Sequence, residues 1–442
     1  MRKTMITSNF RFLSGYFFTA GKRVPLLSSP GLPSTGNPVF QPASPCRNIE
    51  NIPVKSIACV PEAGKQIIIP FWRKFSVSIF LLMLMAVLPS TVALASGWPN
   101  FRGDARLTGI TRQSIPANPR LLWSFETGDE IKSSPVIHNS RIILGAGNGI
   151  VYCLDMQGTL LWQFDTGNTI EAPALVHNNR IYIGNLEGAL FCLDPENGDV
   201  IWQYECDNQI MAAPNAWSSG SQDLILVGSY DYYLHAVDAL SGKPVWKYEL
   251  YNYLNSAVAI ENGMAIFGGC DGYLHRVDLK TGEGLEEIEL ASYVAGSPAL
   301  ENGIAYTGDY DGVFSAVDYL KGEILWQWND EERNLPFVAS PSVYGNRVIT
   351  GNRDRFVYSI DKRTGQVQWK TNTGSRVDAS TITDGQRVLA ANMRGDIMLL
   401  DIETGRIGWT WEAGSPISGS PAVSDGRIII GTNGGSLFCF GN

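Results

Sequence analysis

The chain has 442 residues, 44% hydrophobic and 17% charged, which is enough apolar material for a sizeable core and argues against a broadly disordered polypeptide. Its net charge of −9 is uneven: residues 1–95 carry ten Lys/Arg against Glu50 and Glu62, whereas residues 96–442 carry 24 basic against 41 acidic side chains. Such an acidic body repels phosphate backbones and argues against nucleic acid as a partner, and four His without CxxC or HExxH spacing argue against a His-built metal centre.

Residues 1–72 contain Ser/Pro stretches such as LLSSPGLPSTGNP and read as a non-globular extension, from a start site placed too early or a two-part organellar presequence. Residues 73–95 follow as an export signal: Arg73 and Lys74, the uncharged run FSVSIFLLMLMAVLPSTVALA, and small residues at Ala93 and Ala95, with cleavage expected before Ser96. An uncleaved anchor is the other reading of an apolar run of about 20 residues. Cleavage leaves no stable membrane span, and no Cys follows the run until Cys153, so there is no acylation site. The destination is the periplasm or cell envelope, or an organellar lumen under the presequence reading.

After a lead-in over 96–118 that includes WPNFRG, a repeat governs residues 119–442. Trp recurs at 123, 162, 202, 246, 326, 369 and 409, with Glu286 in the one gap, at intervals near forty residues. Each unit carries Asn-Gly or Asp-Gly hairpin signals between apolar runs, a strand ending in Asp, and a strand bearing the Trp. The strand before the Asp is largely apolar at both parities, as burial on both faces requires. Four antiparallel strands per unit, eight times, predict an all-β fold: an eight-bladed β-propeller. The last unit lacks a strand, and PRLLWSF at 119–125 has none before it. The N-terminal strand is therefore predicted to join the last blade and close the ring, removing its open edge.

The run Asp-x-x-[Thr/Ser]-Gly-x-x-x-Trp, at Asp238 to Trp246, Asp361 to Trp369 and Asp401 to Trp409, resembles the tryptophan-docking motif of the PQQ-like (quinoprotein-type) β-propellers. The resemblance implies that Trp123, Trp162, Trp202, Trp246, Trp326, Trp369 and Trp409 dock onto neighbouring blades. Glu286 is then expected to loosen one junction, which a Trp at 286 would leave unchanged or tighten. Arg276, in a register otherwise held by small or apolar side chains, must reach solvent or find a buried partner.

Within that family the chain is similar to the non-catalytic, BamB-like scaffolds of outer-membrane assembly rather than to the quinone dehydrogenases, which need cationic groups for three carboxylates, Ca²⁺ ligands and a base. Aligned starts of the innermost strands place Lys132, Glu171, Met211, Asn255, Ala295, Val338, Asp378 and Ser418 in one ring at the channel mouth. Lys132 beside Glu171 reads as a surface ion pair, and Lys132, Glu171, Asn255 and Asp378 are the candidates for a small polar ligand. Their oxygens, spread over six blade steps, are not expected to converge on one ion. The Asp residues before the turns read as turn caps, His235 and His275 as core, and the cysteines as core.

Two loops stand out as partner surfaces: 249–255 with Tyr251 and Tyr253, and 329–337 with Asp330, Glu331, Glu332 and Arg333. The reading is an exported, monomeric propeller scaffold binding an envelope or outer-membrane protein, without catalytic residues, metal or cofactor. The alternatives are a PQQ-dependent alcohol or sugar dehydrogenase with calcium, or a propeller that binds a small ligand.

Overall fold

The computed structural model describes residues 97–442. The chain divides into two units, Met1–Val87 and Leu88–Asn442, and the described residues lie in the second. The extension at 1–72 and the export segment at 73–95 lie outside the described residues. Among the described residues, no helix is long and apolar enough to cross a membrane.

Among the described residues, thirty-two strands form eight four-stranded antiparallel sheets. Blade 1 takes β2 (Val136–His138), β3 (Arg141–Gly145), β4 (Ile150–Asp155) and β5 (Leu160–Asp165), and the next six blades repeat this meander. Blade 8 is composite: β1 (Arg120–Glu126) pairs with β32 (Ser436–Gly441) from Arg120↔Gly441 to Glu126↔Ser436, outside β31 (Arg427–Gly431) and β30 (Ala422–Ser424). The first and last strands of the described residues thus share one sheet, and the propeller closes as predicted.

The third strand of each blade explains why the ring is cohesive. In β12 (Tyr233–Asp238) the four central residues are buried on both faces, and the equivalent strands behave alike. Alternate residues therefore pack onto the preceding and the following blade. Each fully buried aliphatic side chain contributes about 1.5–3 kcal/mol.

Seven of the eight outer strands carry a register shift beside their Trp, for example between Ala236 and Val237 opposite Trp246 and Pro244. Such a bulge bends the strand and increases its twist. Blade 4 has none, and its outer strand β17 (Ile288–Glu289) spans only two residues.

The lead-in runs around one end of the axial channel and supplies carbonyl acceptors to inner-strand amides. Trp98 bridges Ile137 in blade 1, and Pro99, Ala105, Arg106, Thr108 and Gly109 accept from Val176, Ile260, Leu300, Val343 and Thr383 in blades 2, 4, 5, 6 and 7. An inner edge strand would otherwise present orphan amides to the axis. WPNFRG thus begins the floor of the channel.

Candidate functional site

All eight residues aligned from the sequence, Lys132, Glu171, Met211, Asn255, Ala295, Val338, Asp378 and Ser418, line one axial cavity of about 260 Å³. Phe101 from the lead-in lines the same cavity. Two residues further along each inner strand lies a second ring that the sequence reading did not single out. The Ala257 amide donates to Ser297 Oγ (2.8 Å), Ser297 to Ser340 (2.9 Å), Ser340 to Ser380 (2.9 Å), Ser380 to Ser420 (3.0 Å) and Ser420 to Ser134 (2.9 Å). The ladder stops at Pro173, which has no hydroxyl to accept the next amide. A serine recurring two places beyond the ring position was its signal in the sequence.

At the mouth, Lys132 Nζ holds Glu130 at 2.7 Å and Glu171 at 2.8 Å, and these two carboxylates keep its ammonium above the usual lysine range. Asp378 is not a free carboxylate: Arg353 grips both its oxygens at 3.0 and 3.1 Å, and Arg376 stands at 3.6 Å. Lys132 is the one basic residue among the eight aligned positions; Arg353 and Arg376 reach Asp378 from outside them. Lys132–Glu171 and Asp378–Arg353 form two separate ion pairs, and Asn255 belongs to neither.

From Arg353 an aromatic rim extends back over blades 5, 4 and 3. The Arg353 guanidinium lies 5.7 Å from the Tyr310 ring centroid and donates to the Tyr310 hydroxyl at 3.0 Å; Tyr310 stacks on Tyr293 at 4.4 Å. Tyr253 is sandwiched between Tyr230 (4.6 Å) and Tyr232 (5.1 Å), so it is a packed ledge rather than a loose loop side chain. Tyr251 is 74% exposed. In the other loop, Asp330 is structural: it pairs with Lys370 at 3.2 Å, accepts the Tyr358 hydroxyl at 3.3 Å and caps the Glu332 amide at 3.2 Å. Arg333 lies 5.0 Å over the Phe356 ring, whereas Glu331 and Glu332 are exposed.

At the blade periphery, six indole N–H groups donate to a neighbouring blade. Trp123, Trp162, Trp202, Trp246, Trp326 and Trp369 reach the carbonyls of Met156, Pro195, Ala239, Leu279, Lys362 and Ile402 at 2.9–3.2 Å. Each acceptor follows the turn-capping Asp, as Asp361 shows by accepting the Arg363 and Thr364 amides at 3.0 Å. Each ring also covers the turn glycine: a Cβ on Gly242, at φ +71°, would lie 2.6 Å from Trp202. Trp409 is different, because blade 8 has no such turn between β32 and its outer strand; its ring packs edge-on against Phe440. Trp369→Ala is expected to destabilise the propeller by about 3–5 kcal/mol in chemical denaturation, through a cavity at a blade junction. A change below about 1 kcal/mol would remove the indole from the list of junction elements.

The junction lacking a Trp, which Glu286 was expected to loosen, is filled by another side chain. Arg276, buried at 7% exposure, donates through Nη1 to the Tyr319 carbonyl at 3.0 Å, the acceptor equivalent to those the indoles use. Its Nε and Nη2 hold the Glu286 carbonyl, the former at 2.9 Å. The guanidinium lies over Gly322 where an indole lies over the other turn glycines. A planar cation on the third strand thus replaces a planar ring on the fourth.

His235 and His275 are fully buried and bonded to Asp231 and Asp271 through Nε2 and to the Tyr204 and Tyr248 hydroxyls through Nδ1. Cys153, Cys192 and Cys439 are free and buried, and burial holds the Cys192 and Cys439 thiols up at about 11.

A closed ring of eight four-stranded blades, seven of them with a Trp at the repeated outer-strand position, defines a PQQ-like propeller. A family model described as outer membrane protein assembly factor BamB matches residues 147–218, 215–285, 231–381 and 353–440, more than half of the chain, and the chain belongs to this family. Among solved structures it is similar to BamB from Moraxella catarrhalis (20% identity, 73% of this chain and 98% of that one, TM-score 0.63). It is also similar to the computationally designed Ika8 protein (18%, 73% and 100%, 0.65) and to quinohemoprotein alcohol dehydrogenase from Comamonas testosteroni (13%, 78% and 81%, 0.65). At these identities the likeness is one of fold. No curated protein compared with the chain matches it.

Proposed function

We propose that the chain is an exported, non-catalytic propeller scaffold that binds a protein partner in the cell envelope, similar to the outer-membrane assembly factor that describes its family. The observation that carries this reading is the charge pairing at the channel mouth. Lys132, Arg353 and Arg376 stand among Glu130, Glu171 and Asp378, three cations against three carboxylates, so this cluster offers no net positive charge to a ligand's carboxylates.

The quinone implied by the dehydrogenase relatives fits these residues poorly. A planar tricarboxylate would have to break existing ion pairs, and charge taken out of water without a partner costs several kcal/mol. A calcium ion would have to draw Glu171 from Lys132 and Asp378 from Arg353, side chains that already form separate pairs. The packed aromatic rim, in contrast, offers rigid, amphipathic contact area of the kind that anchors protein interfaces.

The test combines affinity capture from envelope extracts with a calorimetric titration. The wild-type propeller is expected to retain a discrete partner that a Tyr232→Glu/Tyr251→Glu variant, folded to the same stability, releases. Quinone with Ca²⁺ is expected to give no saturable binding at about micromolar concentration. A sub-micromolar quinone complex abolished by Lys132→Ala or Asp378→Ala would overturn the scaffold reading and establish the dehydrogenase one.

A further inference from the structure

Blades 3 and 4 repeat one arrangement of buried side chains but differ in what stands beside it: Glu287 accepts the Tyr248 hydroxyl at blade 4, and a cysteine approaches the histidine at blade 3. Both carry an Asp-x-x-x-His pair, Asp231 with His235 and Asp271 with His275, and in both a tyrosine hydroxyl meets Nδ1 at 3.0–3.1 Å. The residue two places after that tyrosine is Leu250 at blade 4 and Cys206 at blade 3. The Cys206 sulfur, an Asp231 oxygen and a His235 ring nitrogen lie within 4.8 Å of one another, with Cys206 and His235 buried. Ser229 places its hydroxyl beside the thiol and is itself fully buried.

We propose that Cys206, Asp231 and His235 form a binding site for a thiophilic divalent cation of the zinc class. Sulfur, imidazole nitrogen and carboxylate oxygen are the donor types such ions take, usually in fours; a water molecule is left to take the remaining position, because Ser229 Oγ is held by the Asp231 amide at 3.2 Å and the Asn208 carbonyl at 2.9 Å. The ionic balance is neutral: one thiolate and one carboxylate against two positive charges, around a neutral imidazole.

Binding needs two proton movements. The Cys206 thiol, which burial keeps well above the ordinary cysteine range, gives its proton to solvent as the sulfur–metal bond forms. The imidazole proton moves from Nε2 to Nδ1, where Tyr204 Oη accepts it, freeing the Nε2 lone pair for the metal. Tyr204 can play either hydrogen-bond role, so the ring stays oriented throughout. Asp231 is already ionised: burial opposes its charge, but the bond to His235 and the Asp207 and Tyr233 amides hold it below the usual carboxylate range.

Blade 4 shows that the Asp–His–Tyr arrangement folds with leucine at the thiol position, so Cys206→Leu removes the ligand with a side chain the architecture accepts. The full chain, kept reduced, is titrated with Co²⁺ and then Zn²⁺. One equivalent of Co²⁺ is expected to produce a thiolate-to-cobalt charge-transfer band, release about one proton per ion, and be displaced by one equivalent of Zn²⁺. Cys206→Leu abolishes the band, His235→Gln abolishes it while keeping an amide donor for Asp231, and Cys270→Ser retains it. A wild-type protein without the band at one equivalent, or a band that survives Cys206→Leu, overturns the proposal.

Discussion

Removing residues 1–126 is expected to leave a protein that aggregates and loses cooperative unfolding, whereas removing residues 1–95 leaves the transition unchanged. Strand β1 supplies the outer edge of blade 8, and without it the whole length of β32 presents unpaired amides and carbonyls. The same truncation removes the Trp123 indole from the Met156 carbonyl, one of the contacts from blade 8 to blade 1, while the Ser420 to Ser134 bond stays. It also removes the lead-in from the channel floor, so a rescue separates the two causes. Because Arg120 lies opposite Gly441, residues 119–126 appended after Asn442 through a tight turn can occupy the same edge. The appended strand is expected to restore a single transition, with the deficit left by the lead-in as lower stability. Scanning calorimetry and light scattering read both properties. A soluble, cooperatively folding 1–126 truncation would remove edge closure as the reason the ring holds.

The second large effect concerns the substituted junction. Arg276→Ala is expected to cost about 2–4 kcal/mol, because hydrogen bonds to a charged group are worth about 1.5–3 kcal/mol and the buried Tyr319 carbonyl loses its donor. Glu286→Trp alone is expected to destabilise rather than help, since the new indole and the guanidinium compete for the space over Gly322. Ala236 and Ala316 hold the position of Arg276 in the flanking blades, beside a Trp that uses the slot. The double variant Arg276→Ala/Glu286→Trp should therefore recover most of the loss, a coupling of about 2 kcal/mol or more in a double-mutant cycle. The short β17 sets how much returns, because a docked indole needs the outer strand to extend toward 286. Additive effects in urea unfolding would show that the guanidinium and an indole do not share one site.

The period, the strand count and the closing strand were legible because each is a local signal repeated eight times. Asn-Gly and Asp-Gly demand hairpins wherever they fall, alternate residues face opposite sides of a strand, and a motif spaced by forty residues reports a unit that cannot bury its faces alone. The channel ring was legible for the same reason: once the inner strands were aligned, Lys132 through Ser418 had to share one level around the axis.

What those residues touch was decided by the tertiary structure. Arg276 read as an anomaly within its own blade, since its acceptor, the Tyr319 carbonyl, belongs to the next one. Arg353 reaches Asp378 from the neighbouring blade, turning a candidate ligand into half of an ion pair. The serine ladder exists because closure brings successive inner strands within hydrogen-bond range, and closure also bends the lead-in past six inner strands. Sequence spacing encodes which face a side chain takes along its own strand. It carries no measure of the separation between blades, and that separation, fixed by packing eight doubly buried sheets into a ring, selects the partner of every side chain at the site.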